Sequence, residues 1–312
     1  MTIHSSAQLI QQFGLFYLLI LGGYLVARFS EKGRAINVHL TGLLVKLLIP
    51  LLTIFSILTT PPEAFLELPA VIVLTILVVL LGPVVLYVRL RRREVDNATK
   101  GAFYTCVTFN NALFIPLPLV MMFIGQEGVP FVILFSIVQL FLFASVGSAI
   151  GSAFGETGTS LQEIARRTFA FPPLFAVILA TALNLYGFSL PSPIASVLSY
   201  SGPVTTYLSL VTVGLGVGPG TWMRDVGSAL EVVAIRQVIV PLLILPIVLL
   251  SSLSAVASQV VLIEAMMPPA VLAVVYASWF GFNSQKAATI VSVGTLLLLP
   301  ELPLMFFLVG GK

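Results

Sequence analysis

Charge is what this sequence has least of. Only 9% of its 312 residues are Asp, Glu, Lys or Arg, against about 25% in an ordinary soluble domain. Water would not keep such a chain dispersed, so lipid must be the solvent for most of it. Cysteine is almost missing: Cys106 stands alone, which excludes an internal disulfide and leaves the redox compartment unread. Histidine is limited to His4 and His39, far apart in the chain, and with no Cys/His cluster no metal site is expected. The only aspartates, Asp96 and Asp225, fall in loops, so no aspartate pair stands in a hydrophobic run to support intramembrane proteolysis. No phosphate-binding Walker A loop is present, so ATP hydrolysis by that route is excluded, no cofactor is expected, and no enzymatic activity is indicated. The net charge of +3 contains no basic run interleaved with aromatics, which argues against nucleic acid as a partner. The start, MTIHSSAQ, lacks the positive segment of a cleaved signal peptide, and none is expected.

What is there is apolar sequence, 58% of the chain. About 20 apolar residues are needed to cross a hydrocarbon core as a helix. Ten stretches meet that length: 9–29, 37–59, 68–90, 101–124, 129–153, 168–187, 197–219, 230–251, 256–281 and 287–309. No charge occurs between Arg167 and Arg224, and Leu190-Pro191-Ser192-Pro193 supplies the turn between the two spans held there. The reading is an all-α polytopic protein of the lipid bilayer.

Basic residues alternate between loops. Arg28, Lys32 and Arg34 follow the first span; Arg89, Arg91, Arg92, Arg93 and Lys100 follow the third; Arg166 and Arg167, then Arg224, then Lys286 mark the later odd-numbered loops. The other loops, such as Thr60-Pro61-Pro62-Glu63 and Gln126-Glu127-Gly128, carry none. Basic loops stay cytoplasmic, so an integral protein of the cell membrane is expected, with both termini extracytoplasmic.

The long cytoplasmic link at 154–167 divides the chain into a first five-helix unit, 1–153, and a second, 168–312. Five is odd, so homologous halves would be inverted relative to each other, a common transporter plan. Corresponding helices should then share anomalies, and the fourth and ninth do. The fourth carries Asn110, Asn111, Pro116 and Pro118; the ninth carries Glu264, Pro268 and Pro269. Paired prolines break or bend a helix, and the freed backbone groups must face protein or a water-filled cavity. The two readings are a kink between packed helices and a pair of broken helices whose positive half-helix ends hold an anion.

At these residues the sequence resembles the auxin efflux carrier family, which includes the plant PIN-type carriers and many prokaryotic relatives. Asn111-Ala-Leu-Phe-Ile-Pro-Leu-Pro118 is similar to that family's helix-4 motif. Glu264-Ala-Met-Met-Pro268 and Gly294-Thr295-Leu-Leu-Leu-Leu-Pro300 are similar to its helix-9 and helix-10 signatures, and Ile49-Pro50-Leu51-Leu52 to its helix 2. Pro116 stands where relatives usually have glycine, Glu264 where plant carriers have glutamine, and the long regulatory loop of many plant carriers is absent. The resemblance implies two inverted five-helix repeats, with broken helices 4 and 9 crossing at mid-membrane and helices 4, 5, 9 and 10 as the moving bundle. It implies efflux of small organic anions, auxin-like monocarboxylates or dicarboxylates such as malate and malonate, and hints at a homodimer. The bile acid sodium symporters share the fold in outline, so a sodium- or proton-coupled symporter of another organic solute stands as the alternative. An anion channel is less favoured, because polar points are isolated and form no continuous stripe.

Ionisable groups inside a span cost about 2.5–3.5 kcal/mol on insertion scales and suggest function. Lys46, mid-helix, would attract a substrate carboxylate or pair with a carboxylate of its own protein. Glu264 would carry a proton or sit hydrogen-bonded in the bundle. Glu301, between Pro300 and Pro303, is a second coupling candidate or a group near the outer surface. Arg236 is read as close enough to the inner end of its span to snorkel and is set aside. Asn111 is expected to hold the carboxylate, cap a broken half-helix, or both; Gln139 is read as interhelical glue. The small-xxx-small patterns at Gly147, Gly151 and Gly155 indicate close packing and a conceivable dimer contact. The run Gly214, Gly216, Gly218, Gly220 suggests flexible or closely packed chain. The triplet Asn97-Ala98-Thr99 falls in a predicted cytoplasmic loop, where glycosylation is not expected.

Overall fold

A computed structural model describes residues 6–30, 32–61, 66–155, 172–216 and 226–306. Most of the predicted link 154–167, with Arg166, Arg167, Arg224, Gly218 and Gly220, lies outside the described residues. Among those described, the regular structure is helical. In chain order the helices are α1 (Ser6–Phe29), α2 (Gly33–Leu43), α3 (Ile49–Thr59), α4 (Leu68–Leu90), α5 (Asn97–Thr108), α6 (Pro116–Phe123), α7 (Val129–Leu142) and α8 (Ser148–Phe154). They continue as α9 (Pro172–Leu185), α10 (Ser192–Ser199), α11 (Ser201–Gly216), α12 (Val226–Ala234), α13 (Val240–Leu249), α14 (Ala255–Ala265), α15 (Leu272–Trp279) and α16 (Ser284–Met305).

Three of these joints are π-helical turns that keep the helix going: Leu44–Leu48 between α2 and α3, Phe143–Gly147 between α7 and α8, and Ile235–Ile239 between α12 and α13. Five helical stretches are long and apolar enough to cross a membrane: Ala35–Thr59, Leu68–Leu90, Gln126–Phe154, Val226–Leu249 and Ser284–Met305. Shorter apolar helices, among them Pro172–Leu185 and Ala255–Ala265, lie between them. This is an integral membrane protein. Leucines, valines and phenylalanines such as Leu18, Phe29, Val84 and Leu249 stand exposed on its outside, as lipid-facing positions should.

The helices sort into two bodies. In one, α1 lies along α11, α9 packs against α3, and α11 touches α2 and α3. Glycine makes the α1–α11 seam possible. A Cβ on Gly23 would come 2.2 Å from the Val211 carbonyl oxygen, and one on Gly214 would come 2.0 Å from that of Ile20. In the other body, α4 packs on α5, α7 and α13; α14 on α7 and α13; and α16 on α5, α12 and α15. The third and eighth predicted spans (α4 and α12–α13) therefore belong with the fourth, fifth, ninth and tenth, a larger bundle than the four helices the resemblance implied. The Gly147-Gly151-Gly155 stripe is used within this body: a Cβ on Gly151 would lie 2.2 Å from the Phe280 ring.

Candidate functional site

The fourth and ninth spans are interrupted, and the interruptions meet. α5 stops at Thr108, where Phe109 turns extended (φ −109°, ψ 124°), and the helix resumes only at Pro116. α14 stops at Ala265, and α15 starts at Leu272. Asn110 and Pro269 face each other across an antiparallel bridge. The Asn111 N–H donates to the Pro268 carbonyl and the Ala270 N–H to the Phe109 carbonyl, each at 2.8 Å. Pro269 thus sits opposite Asn110 as a non-hydrogen-bonded pair, the register in which its missing N–H costs nothing. The proline pair that ends one helix is compatible with the strand-like strut that replaces it.

The outward-facing backbone groups of Asn110 are met by a side chain. Gln139 Oε1 accepts from the Asn110 N–H at 3.2 Å, and its Nε2 donates to the Asn110 carbonyl at 2.7 Å. Gln139 is buried glue, as expected. The Asn110 amide nitrogen donates to Glu264, at 3.1 Å to its carbonyl and 3.0 Å to Oε2. Asn111, the next residue of an extended segment, points the other way. Its Oδ1 accepts from the Phe114 N–H at 3.1 Å, closing the turn that leads to α6 and leaving its NH₂ group as a donor.

A cavity of about 150 Å³ opens on this crossing, lined by Asn110, Asn111, Phe114, Ser136, Val45 and Leu272 among others. α15 begins on it at Leu272, and Leu113 and Phe114, in the turn that leads into α6, line it as well. Pro116 opens α6 at a position where no N–H is needed. Pro118 is buried and lines a different cavity, of about 180 Å³, together with Phe16 and Leu210. Pro268 and Pro269 are buried against Gly294, where a Cβ would stand 2.8 Å from Pro269 Cδ. Lys46 occupies the π turn, exposed; its neighbour Val45 lines the cavity and Lys46 does not. Glu301 is half-buried in α16 and accepts from Gln237 Nε2 at 3.4 Å.

Arg236 departs most from the sequence reading. It is fully buried, beside Glu264, with one guanidinium nitrogen 3.4 Å from the Glu264 carbonyl oxygen. The expectation that it snorkels is overturned for a geometric reason. The helix already runs at Val226, ahead of residue 230, so Arg236 lies at least ten residues, about 15 Å, along the axis. Ser136 and Gln237 were also missed; neither stands out in an apolar run without a fold to place it.

These features define an all-helical membrane protein built around two crossed, interrupted helices. A family model described as "Membrane transport protein" matches residues 9–157 and again residues 156–306; the chain belongs to that family, the auxin efflux carriers and their relatives. It is 26% identical over 288 residues to an uncharacterized transporter of Methanothermobacter thermautotrophicus, covering 92% of this chain and 94% of that one. It is 25% identical over 241 residues to an uncharacterized transporter of Methanocaldococcus jannaschii, covering 74% and 75% respectively.

Proposed function

We propose that the chain is a secondary transporter that exports small organic anions from the cell by alternating access, with the crossing of the fourth and ninth spans as its site. The observation that carries this reading is the convergence on one cavity of Asn111 and the N-terminus of the half-helix α15, whose first residue Leu272 lines it. Oriented N–H groups and an amide NH₂ suit a carboxylate without adding a fixed charge. Helical segments in all ten predicted spans support ten crossings. The same family model matching each half supports two inverted repeats, 1–153 and 168–312. The orientation has support too. Arg89 and Arg93 pair with Glu231 at 2.6 and 2.8 Å, and Lys286 Nζ reaches Ser228 Oγ at 3.1 Å. The basic ends of the third and ninth loops thus gather beside the start of the eighth span, which fits a cytoplasmic face with the termini outside the cell membrane.

The cavity's chemistry narrows the substrate. Among the described residues no lysine or arginine lines it, and Leu113, Leu140, Phe143 and Leu272 form apolar walls beside the donors. A monocarboxylate with an apolar remainder fits this better than a dicarboxylate, whose second charge would be desolvated against hydrocarbon. The test is counterflow of radiolabelled mono- and dicarboxylates in proteoliposomes. Saturable exchange, with monocarboxylates ahead and Asn111→Ala reducing uptake at least tenfold, is expected. Silence across the whole panel, or equal exchange by the substituted protein, would refute the assignment.

A further inference from the structure

Behind the crossing lies a cluster of buried polar atoms that reaches the cavity only at Asn110. Arg236 and Glu264 are both fully buried, and neither lines the cavity at the crossing. Arg236 sits in the π turn Ile235–Ile239, an insertion of the kind that re-aims side chains at functional positions. Its guanidinium is directed at the C-terminal end of α14, where the Glu264 carbonyl accepts its nitrogen and where the half-helix dipole is negative. Its other two nitrogens, Glu264 Oε1 and Asn110 Oδ1 are buried without a protein partner. So is Gln237 Oε1, which lies near the same break, 2.8 Å from where a Cβ on Gly294 would stand.

A carboxylate, a half-helix carbonyl and an amide oxygen converge here. They are hard oxygen donors, the set that suits a metal cation such as sodium, and one of them, the Glu264 carbonyl, already accepts from a residue that carries a positive charge. Burying Glu264 alone would leave an uncompensated charge in a low-dielectric bundle, while Arg236 makes the pair neutral. We propose that Arg236 is the built-in cation of the crossing: it supplies permanently the charge that a co-transported metal ion would bring, and Glu264 is its structural counter-charge. Transport through the crossing then needs no sodium, and Glu264 does not carry the coupling proton. The groups facing Glu264 are Arg236 from the eighth span and Asn110 from the fourth, with Gln139 behind Asn110.

The inference rests on the crossing as the transport site but not on the substrate, so it is tested by thermal melting of the purified protein in detergent, in sodium chloride against choline chloride. The native protein is expected to melt at the same temperature in both salts. Arg236→Ala should melt lower in choline and be raised by several degrees in sodium, because a ligand that binds only the folded state stabilises it by mass action. Adding Glu264→Gln to Arg236→Ala should remove that rise, and Arg236→Lys should stay indifferent to sodium. A sodium-specific rise in the native protein would overturn the proposal, as would none in Arg236→Ala. Should Arg236→Ala not fold, the native protein and Arg236→Lys still decide it, since either one gaining stability from sodium sinks the idea. Counterflow lost with melting behaviour as expected would count against the anion reading alone.

Discussion

Asn110 and Asn111 are neighbours whose side chains point apart, because the chain between the half-helices is extended. Asn110 holds the bundle together through Glu264 and Gln139; Asn111 closes one turn and offers its NH₂ to the cavity. Substituting them should have different consequences. Asn110→Ala leaves the Glu264 carboxylate without its donor and is expected to cost about 1–3 kcal/mol of stability, read as a fall in melting temperature and in folded yield. Asn111→Asp keeps the oxygen that caps Phe114 but removes the donor. It should therefore fold normally and still lose uptake about 10- to 100-fold, the worth of a hydrogen bond to a charged group. Lys46→Met should change uptake far less than either, since the exposed Lys46 stands off the cavity. If Lys46→Met matched Asn111→Asp, the cavity as drawn would be the wrong site.

The broken helices show at the element scale how much a sequence can disclose. Proline pairs are a local signal, so a break or a bend at Pro116-Leu117-Pro118 and at Pro268-Pro269 is legible in the sequence, but which of the two it is depends on what packs there. Their correspondence is legible through the two halves, and that they cross is an expectation of the family resemblance alone. What the halves do not encode locally is depth: whether Arg236 reaches the surface depends on how far its helix extends before it and on what packs around it, and neither is written in the local composition. Likewise the joining of α4 and α12–α13 to the bundle of the broken helices follows from long-range contacts that periodicity cannot report. Two local devices can be checked directly. Asp96 caps α5, its carboxylate accepting from the Thr99 N–H at 2.9 Å, and that bond holds its pKa below the usual carboxylate value. A depressed folded pKa contributes stability above the ordinary Asp range and loses it as pH falls through the folded value. Asp96→Ala should therefore cost about 1 kcal/mol at neutral pH and nothing once the native carboxyl is protonated, as melting at a series of pH values would reveal. Gly214→Ala drives a Cβ into the Ile20 carbonyl and should separate α1 from α11 at a cost of about 1–3 kcal/mol. Its residual transport should track the folded fraction, which a melting curve beside a counterflow assay would establish.

For the whole molecule the question is what keeps the two bodies in the arrangement observed. They touch where α6 meets α11 and α3 meets α7, through a hydrogen bond from Ser56 Oγ to the Gln126 carbonyl at 3.3 Å, and through a second with an identifiable origin. Pro303 has no N–H, so the Leu299 carbonyl one turn earlier in α16 lacks its helical donor, and Tyr17 of α1 donates to it at 2.7 Å. Beside that bond the bodies part around an apolar crevice of about 450 Å³, lined by Tyr17, Tyr24, Leu296 and Leu299. A hydrogen bond made in one conformation and broken in the other favours the first by roughly 0.5–1.5 kcal/mol, a ratio of about 2 to 12. If alternating access moves the bundle against the other body, Tyr17→Phe should shift the population away from the present arrangement by that factor. Spin labels at Leu21 and Leu304, placed after Cys106→Ala, would read it as a change in the weights of two distances. Unchanged weights would mean that Tyr17 merely repairs the defect left by Pro303. New weights at the same two distances would mean that a proline in one body, through the carbonyl it frees, biases which face of the transporter is open.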